Sequence, residues 1–309
     1  MLTGTARKPI KITAALPTSG AIASPATIAD AVLSAERRGH ETIWVVERLL
    51  RPLPRSGHPE VPGYYGTVYD PLVVLSWAAA RTQRITLGAS VFDILFRPPP
   101  LLARQLATLD QLSGGRLWAG FGQGWIEDEY DAAGISMRGR GARFEEYLQV
   151  LAACWGPDPV SFDGAYYTIA SAEISPKPTR DAGVPLLIGA MTPPAIQRAG
   201  RLGLDFNPVL FDDLGSLREQ VALWRAAAID AGHDPDARKV VVRTNRTLTE
   251  DDGDHTDDPQ SWTIAQATAA LDAIARIGVD EVFVELRRTE LAVERQLDLV
   301  DELRRRYGR

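Results

Sequence analysis

Cysteine is almost absent from this chain: its 309 residues include one, Cys154. No internal disulfide can form, and a lone cysteine beside Leu151 and Trp155 on a helix-like stretch reads as a small buried hydrophobe in a reducing, cytoplasmic setting. Also missing is any apolar run of about 18 residues, the length a membrane-spanning helix needs. Residues 1–8 lack the charged start and apolar core of a secretory signal, so no membrane partner is expected. The formal net charge of −6 leaves no basic excess for nucleic acid. Histidine is sparse as well. His40, His58, His233 and His255 fall at scattered spacing in turn-like or loop-like contexts, which gives no metal-ligating cluster. Neither G-x-S-x-G nor H-E-x-x-H occurs, so no hydrolase nucleophile or zinc motif is present.

What the chain does contain is alternation. Strand-like apolar runs at residues 10–16, 42–46, 85–91, 116–120, 185–189, 204–208, 239–247 and 281–286 are separated by helix-period stretches, several opened by Pro and closed by Gly. Eight mostly apolar strands, each followed by a helix, require a parallel sheet covered on its outer face. A (β/α)8 TIM barrel spanning residues 1–309 as a single domain is the economical arrangement. The rival is a doubly wound open sheet, and no G-x-G-x-x-G follows the first strand to support it. Two insertions are expected. One is the Pro- and Gly-rich stretch 47–69 after the second strand, a candidate lid or substrate wall, with His58 in it a candidate to face substrate. The other follows the fourth strand, with a helix over 143–155 and a hairpin turning at Asp163-Gly164-Ala165. The acidic run in 249–259 reads as a solvated surface segment.

In such a barrel the chemistry lies where the strands end. The fourth strand runs into Gly120-Phe121-Gly122-Gln123-Gly124-Trp125. Three alternate glycines there suit either a tight turn or the close approach of a flat ligand to bare backbone. Before this run stands Leu106-Ala107-Thr108-Leu109-Asp110-Gln111-Leu112-Ser113-Gly114-Gly115-Arg116, and after it Glu127, Asp128 and Glu129. This combination resembles the luciferase-like monooxygenase superfamily, and the resemblance extends from Ile10 to about Leu286.

The resemblance implies a site. Trp44 through Arg48 is similar to a family motif in which an acidic residue contacts the cofactor ring and a following histidine transfers a proton. Glu47 keeps the carboxylate. Arg48 replaces the histidine and cannot serve as a base, since guanidinium stays protonated, which leaves it to clamp an anion or stabilise developing charge. Both residues could equally pair with neighbours at the rim. Ser90-Val91 matches the family's non-prolyl cis peptide under a flavin or deazaflavin ring, with Gly122 beside it. Trp125 stands where sugar-phosphate dehydrogenases of the family carry a catalytic glutamate, which disfavours that subgroup. It would instead offer a flat apolar face. Gly189, Ala190, Met191 and Thr192, ahead of Pro193, resemble a phosphate-binding helix start, although Thr192 would serve equally as a helix cap.

The implied activity is hydride transfer between coenzyme F420, a deazaflavin, and a small-molecule substrate. An FMN-dependent monooxygenase and a non-catalytic cofactor-binding barrel are the alternatives. Relatives suggest a homodimer.

Overall fold

The computed structural model describes residues 9–56, 58, 60–211, 213–250, 260–288 and 290–307. The N-terminal segment 1–8 and the acidic residues 251–259, His255 among them, lie outside the described residues.

Eight strands, β1 (Lys11–Ala15), β2 (Thr42–Val45), β3 (Thr86–Asp93), β4 (Leu117–Gly122), β5 (Leu186–Gly189), β6 (Asp205–Asn207), β7 (Val241–Arg243) and β8 (Glu281–Glu285), share one sheet. Its order is β6-β5-β4-β3-β2-β1-β8-β7, so sequence neighbours are sheet neighbours. Parallel bridges Phe206–Val240 and Val209–Arg243 join the flanks of β6 and β7. This is the eight-stranded parallel (β/α)8 barrel expected from the alternation. Helices α1 (Pro25–Arg37), α2 (Pro71–Arg81), α3 (Pro99–Ser113), α4 (Glu127–Ala132), α5 (Arg140–Trp155), α6 (Pro193–Arg201), α7 (Leu214–Asp230), α8 (Ile264–Ala275) and α9 (Val293–Tyr307) fill the intervals.

Close contacts group the chain into two compact units, one of residues up to Pro17, Ser24–Trp44 and Leu187 onward, the other of Thr18–Ala23 and Val45–Leu186. In the first unit β1 and β8 run in register from Lys11–Glu281 to Ala15–Glu285. At the start of that register the fully buried Glu281 accepts hydrogen bonds from Thr13 Oγ1 (2.6 Å) and Trp44 Nε1 (2.8 Å). Those bonds satisfy a carboxyl that would otherwise be costly to bury. Ser24 caps α1 in a reciprocal box with Thr27, as Ser-Pro predicts. The strand predicted over 239–247 is shorter and broken. Asn245 adopts φ +53, a left-handed conformation that ends the ladder, and Thr247–Leu248 pairs separately with Ser261–Trp262.

In the second unit α3 stops at Gly114 (φ +67), where a left-handed residue frees the chain to turn into β4. Arg116 then binds three faces at once. Its guanidinium donates to Thr82 Oγ1 and to the carbonyls of Ser113, Ala79, Thr82 and Ile85. The arginine of the Ser-Gly-Gly-Arg signature is therefore scaffold, fastening the ends of α2 and α3 to the start of β3. The hairpin also differs from expectation. Its strands are Val160–Asp163 and Thr168–Ala172, and Tyr166 and Tyr167 belong to the turn. The reason is Glu146 on α5, whose carboxylate accepts the amides of Ala165, Tyr166 and Tyr167 at 2.9, 2.7 and 2.7 Å. Cys154 is buried and free. No described helix is long and apolar enough to cross a membrane.

Candidate functional site

The second unit gathers Glu47, Arg48, Ser90, Val91, Gly122 and Trp125 around the ends of β3 and β4. Strand β3 carries one extra residue relative to β4: Ala89 pairs with Ala119 and Phe92 with Phe121, a bulge of the kind that re-aims side chains beside active sites. Within it the Ser90–Val91 peptide is cis, as the resemblance implies. The glycines opposite make the bulge possible. A Cβ on Gly120 would sit 2.0 Å from the Ala89 carbonyl oxygen, and one on Gly122 would sit 2.4 Å from Val91 Cγ2. Only bare backbone fits under this platform.

Two buried ion pairs flank it. Glu47, 7% exposed, accepts the Asp93 amide (2.6 Å) and a fork from Arg97, which also reaches Asp70 (3.4 Å). Burial pushes the Glu47 carboxyl up, and the Arg97 fork and the Asp93 amide pull against it. Arg48 is equally buried and donates to Glu129 Oε2 at 2.5 Å. Its guanidinium lies over Tyr65 (5.1 Å) and Trp125 (5.4 Å), a cation held between two rings. The Arg48 Nε is buried with no hydrogen-bond partner among the described residues. Glu47 and Arg48 thus pair with neighbours and not with each other, and Trp125 lends one face to Arg48.

Sequence reading missed four of these groups. Glu129 has no exposed surface. Besides Arg48 it receives the amides of Leu49 (2.8 Å) and Leu50 (3.2 Å), anchoring the start of the long insertion. Its place as the third acidic residue after the glycine run was the available signal. Arg97 and Tyr65 carried none. Asp93 is the last residue of β3, only two beyond the cis peptide, and a carboxylate ending an apolar strand was legible.

Asp93 is 5% exposed. Burial first, then the negative charges of Glu47 and Glu129, push its carboxyl up, and Arg48 and Arg97 oppose them, leaving it at about 7. The insertion after β2 is tethered elsewhere too, by Arg51 Nε to the Val61 carbonyl (3.0 Å) and by an Arg55–Asp128 ion pair (2.8 Å). His58 is exposed and lies against Arg55.

The remaining candidates belong to the first unit. Gly189 ends β5, Ala190 is buried, Met191 is 46% exposed, and Thr192 occupies the cap position of α6. The Thr192 side chain makes no capping bond; its carbonyl instead receives the Ala195 and Ile196 amides. Among the described residues no group of three or more His, Cys, Asp or Glu could hold a metal ion.

Comparison with known proteins places this geometry in a family. The chain is 31% identical to an F420-dependent glucose-6-phosphate dehydrogenase of Kineococcus radiotolerans over 184 residues, 58% of this chain and 51% of that one. It spans only about 41–60% of the length of the curated relatives it matches. Its fold is similar to that of the monooxygenase RslO1 from Streptomyces bottropensis (TM-score 0.81, 23% identity, 97% of this chain and 98% of that one). It is also similar to the coenzyme F420 dependent tetrahydromethanopterin reductase of Methanopyrus kandleri (TM-score 0.78, 18% identity, 98% and 100%). At these identities the structural likeness concerns the fold. The luciferase-like monooxygenase family model matches residues 9–290, and the chain belongs to that family.

Proposed function

We propose that this chain is an oxidoreductase that seats a deazaflavin of the coenzyme F420 type at the ends of β3 and β4 and moves a hydride between it and a small organic substrate. The observation that carries this reading is the platform at Ser90–Val91, a bulged strand end lying on Gly120 and Gly122, where any side chain would collide. A flat ring can rest on such backbone. Relatives named as F420-dependent enzymes favour the deazaflavin over FMN. When bound, that cofactor supplies the carbon that gives or takes the hydride.

The chain's own residues bind and polarise. Glu47, fixed by Arg97, borders the platform with one defined orientation. Arg48, clamped by Glu129 between two aromatic faces, contributes a permanent positive charge rather than acid-base chemistry. Trp125, 37% exposed, offers its remaining surface to the ligand. The Thr192 hydroxyl at the start of α6, which no capping bond occupies, is assigned to a phosphate, and Gly189, Ala190 and Met191 lead into it. A cytoplasmic homodimer is part of the same proposal, checked by mass in solution.

Fluorescence titration of the purified protein with F420 and with FMN tests the assignment. Tighter binding of F420 is expected, and tighter binding of FMN would turn the reading towards an oxygen-using monooxygenase. Binding of F420 with no turnover of any alcohol, aldehyde or enone would mark a non-catalytic barrel.

A further inference from the structure

The family's proton-transferring histidine is an arginine here, so a hydride enzyme built on this chain needs another group to hold the proton. We propose that Asp93 is that group, and that the substrate is accordingly an alcohol–carbonyl pair, whose oxygen must lose or gain a proton as its carbon loses or gains a hydride. This rests on the oxidoreductase reading above.

Geometry places Asp93 on the platform. It pairs in register with Gly122, and its Oδ1 lies 3.1 Å from where a Cβ on that glycine would stand. Its amide is spent on Glu47, while among the described residues no donor is bonded to its carboxylate. The neighbours are unable to do the same work. Arg48 and Arg97 carry guanidinium groups, which only donate, and each is engaged with a glutamate. Glu47 is held by the Arg97 fork, and Glu129 by Arg48 and two amides. The Tyr130 hydroxyl donates to the Gln123 carbonyl, and burial pushes it up to about 12. Asp93 alone faces these charges, Glu47 from the end of β2, Arg48 from the loop beyond it, Arg97 ahead of α3, and Glu129 and Tyr130 on α4, with an unoccupied carboxylate. Burial with partly compensated charges leaves it near 7, where a group can both take and return a proton at neutral pH.

The step balances. In oxidation the C–H bond breaks with its electron pair going to the oxidised deazaflavin, the O–H bond breaks, its proton passes to the Asp93 carboxylate, and its electrons complete the C=O bond. Reduction is the reverse, with protonated Asp93 as donor. Oxidation rates therefore rise with pH through about 7, and reduction rates fall.

The test uses Asp93→Asn and Asp93→Glu in the full chain. In the cofactor-free protein, carboxyl 13C NMR of aspartate-labelled samples is expected to show one resonance titrating near pH 7 that is missing from Asp93→Asn. In Glu129→Gln the same resonance should titrate lower, because a repelling charge is gone. With F420 loaded, Asp93→Asn is expected to bind the cofactor within about threefold of wild type. Its single-turnover oxidation of short secondary alcohols should fall by about 10²- to 10⁴-fold with loss of the pH limb, and Asp93→Glu should restore part of both. An Asp93 resonance that titrates like an exposed aspartate overturns the proposal, as does an Asp93→Asn rate with an unchanged pH profile. Failure of the wild type to bind F420 sinks the cofactor reading instead, and the two outcomes are separately readable.

Discussion

Replacing Glu129 by glutamine keeps an oxygen to accept the Leu49 and Leu50 amides but withdraws the negative charge from a guanidinium that is 7% exposed. Arg48 then remains charged, dry on one edge through its unpartnered Nε, and enclosed by Tyr65 and Trp125. Removing one member of a buried pair costs about 3–5 kcal/mol, because the survivor is stranded without water. Glutamine preserves the amide contacts, so the lower end, about 3 kcal/mol, is expected for Glu129→Gln. Urea denaturation followed by circular dichroism reads this as a midpoint lowered by about 1 M at an m-value of about 3 kcal/mol/M. The double variant Arg48→Met with Glu129→Gln removes the stranded charge and should recover more than half of the loss. A single variant within about 0.5 kcal/mol of wild type, or a double variant no more stable than the single, would refute the idea that this pair is a closed, mutually dependent unit.

Gly122→Ala drives a methyl against Val91 Cγ2 and towards Asp93 Oδ1, so it should weaken F420 binding at least tenfold while costing about 1–3 kcal/mol of stability. A similar loss of F420 binding in a control at the solvent-facing Gly134, whose Cβ would meet nothing and whose φ of +68 strains only its own turn, would deny Gly122 a special place. Arg116→Met strips donors from four carbonyls and the Thr82 hydroxyl and should cost about 3–5 kcal/mol by urea melt, since buried acceptors left unpaired lose about 1–3 kcal/mol each. His40, whose Nε2 lies 3.1 Å from Asp301 Oδ1, is pushed down to about 4 by burial and by Arg304. The unfolded chain takes up that proton first, so stability is intact above about 6.5 and is lost as pH falls through 4, by up to about 3 kcal/mol. His40→Asn should flatten that limb of the stability–pH curve.

The barrel was legible because each βα unit repeats its own punctuation. Ser24-Pro25 and Asp70-Pro71 open helices and Gly114 closes one, and these are local rules that need no partner. The same locality failed at residues 239–247, where Val240-Val241-Val242 suggested a strand running on past Asn245, and at the hairpin turn, whose width is set by Glu146 some twenty residues upstream. The site divides in the same way. The backbone platform could be read from glycines and from family resemblance, being a property of contiguous residues. The ionic framework could not, since Arg97 reaches Glu47 across fifty residues and Glu129 reaches Arg48 across eighty-one. Nothing within a window of sequence distinguishes such an arginine from a solvated one.

Charge counting explains why the replaced histidine leaves a carboxylic acid as heir. Around the platform stand three buried carboxyls, Glu47, Asp93 and Glu129, and two buried guanidinium groups, Arg48 and Arg97. Each arginine is committed by direct hydrogen bonds to one glutamate. Neither arginine donates to Asp93, yet the Arg48 charge is the largest charge effect there and pulls its carboxyl down, while burial, Glu47 and Glu129 push it up. A histidine at position 48 would have supplied a titrating group and left Glu129 to find another partner. The arginine holds the Glu129 carboxyl by a direct hydrogen bond and removes position 48 from acid-base chemistry. The arginine that disables the familiar base thus pulls Asp93 down against the burial that pushes it up, and so tempers the shift that burial alone would give.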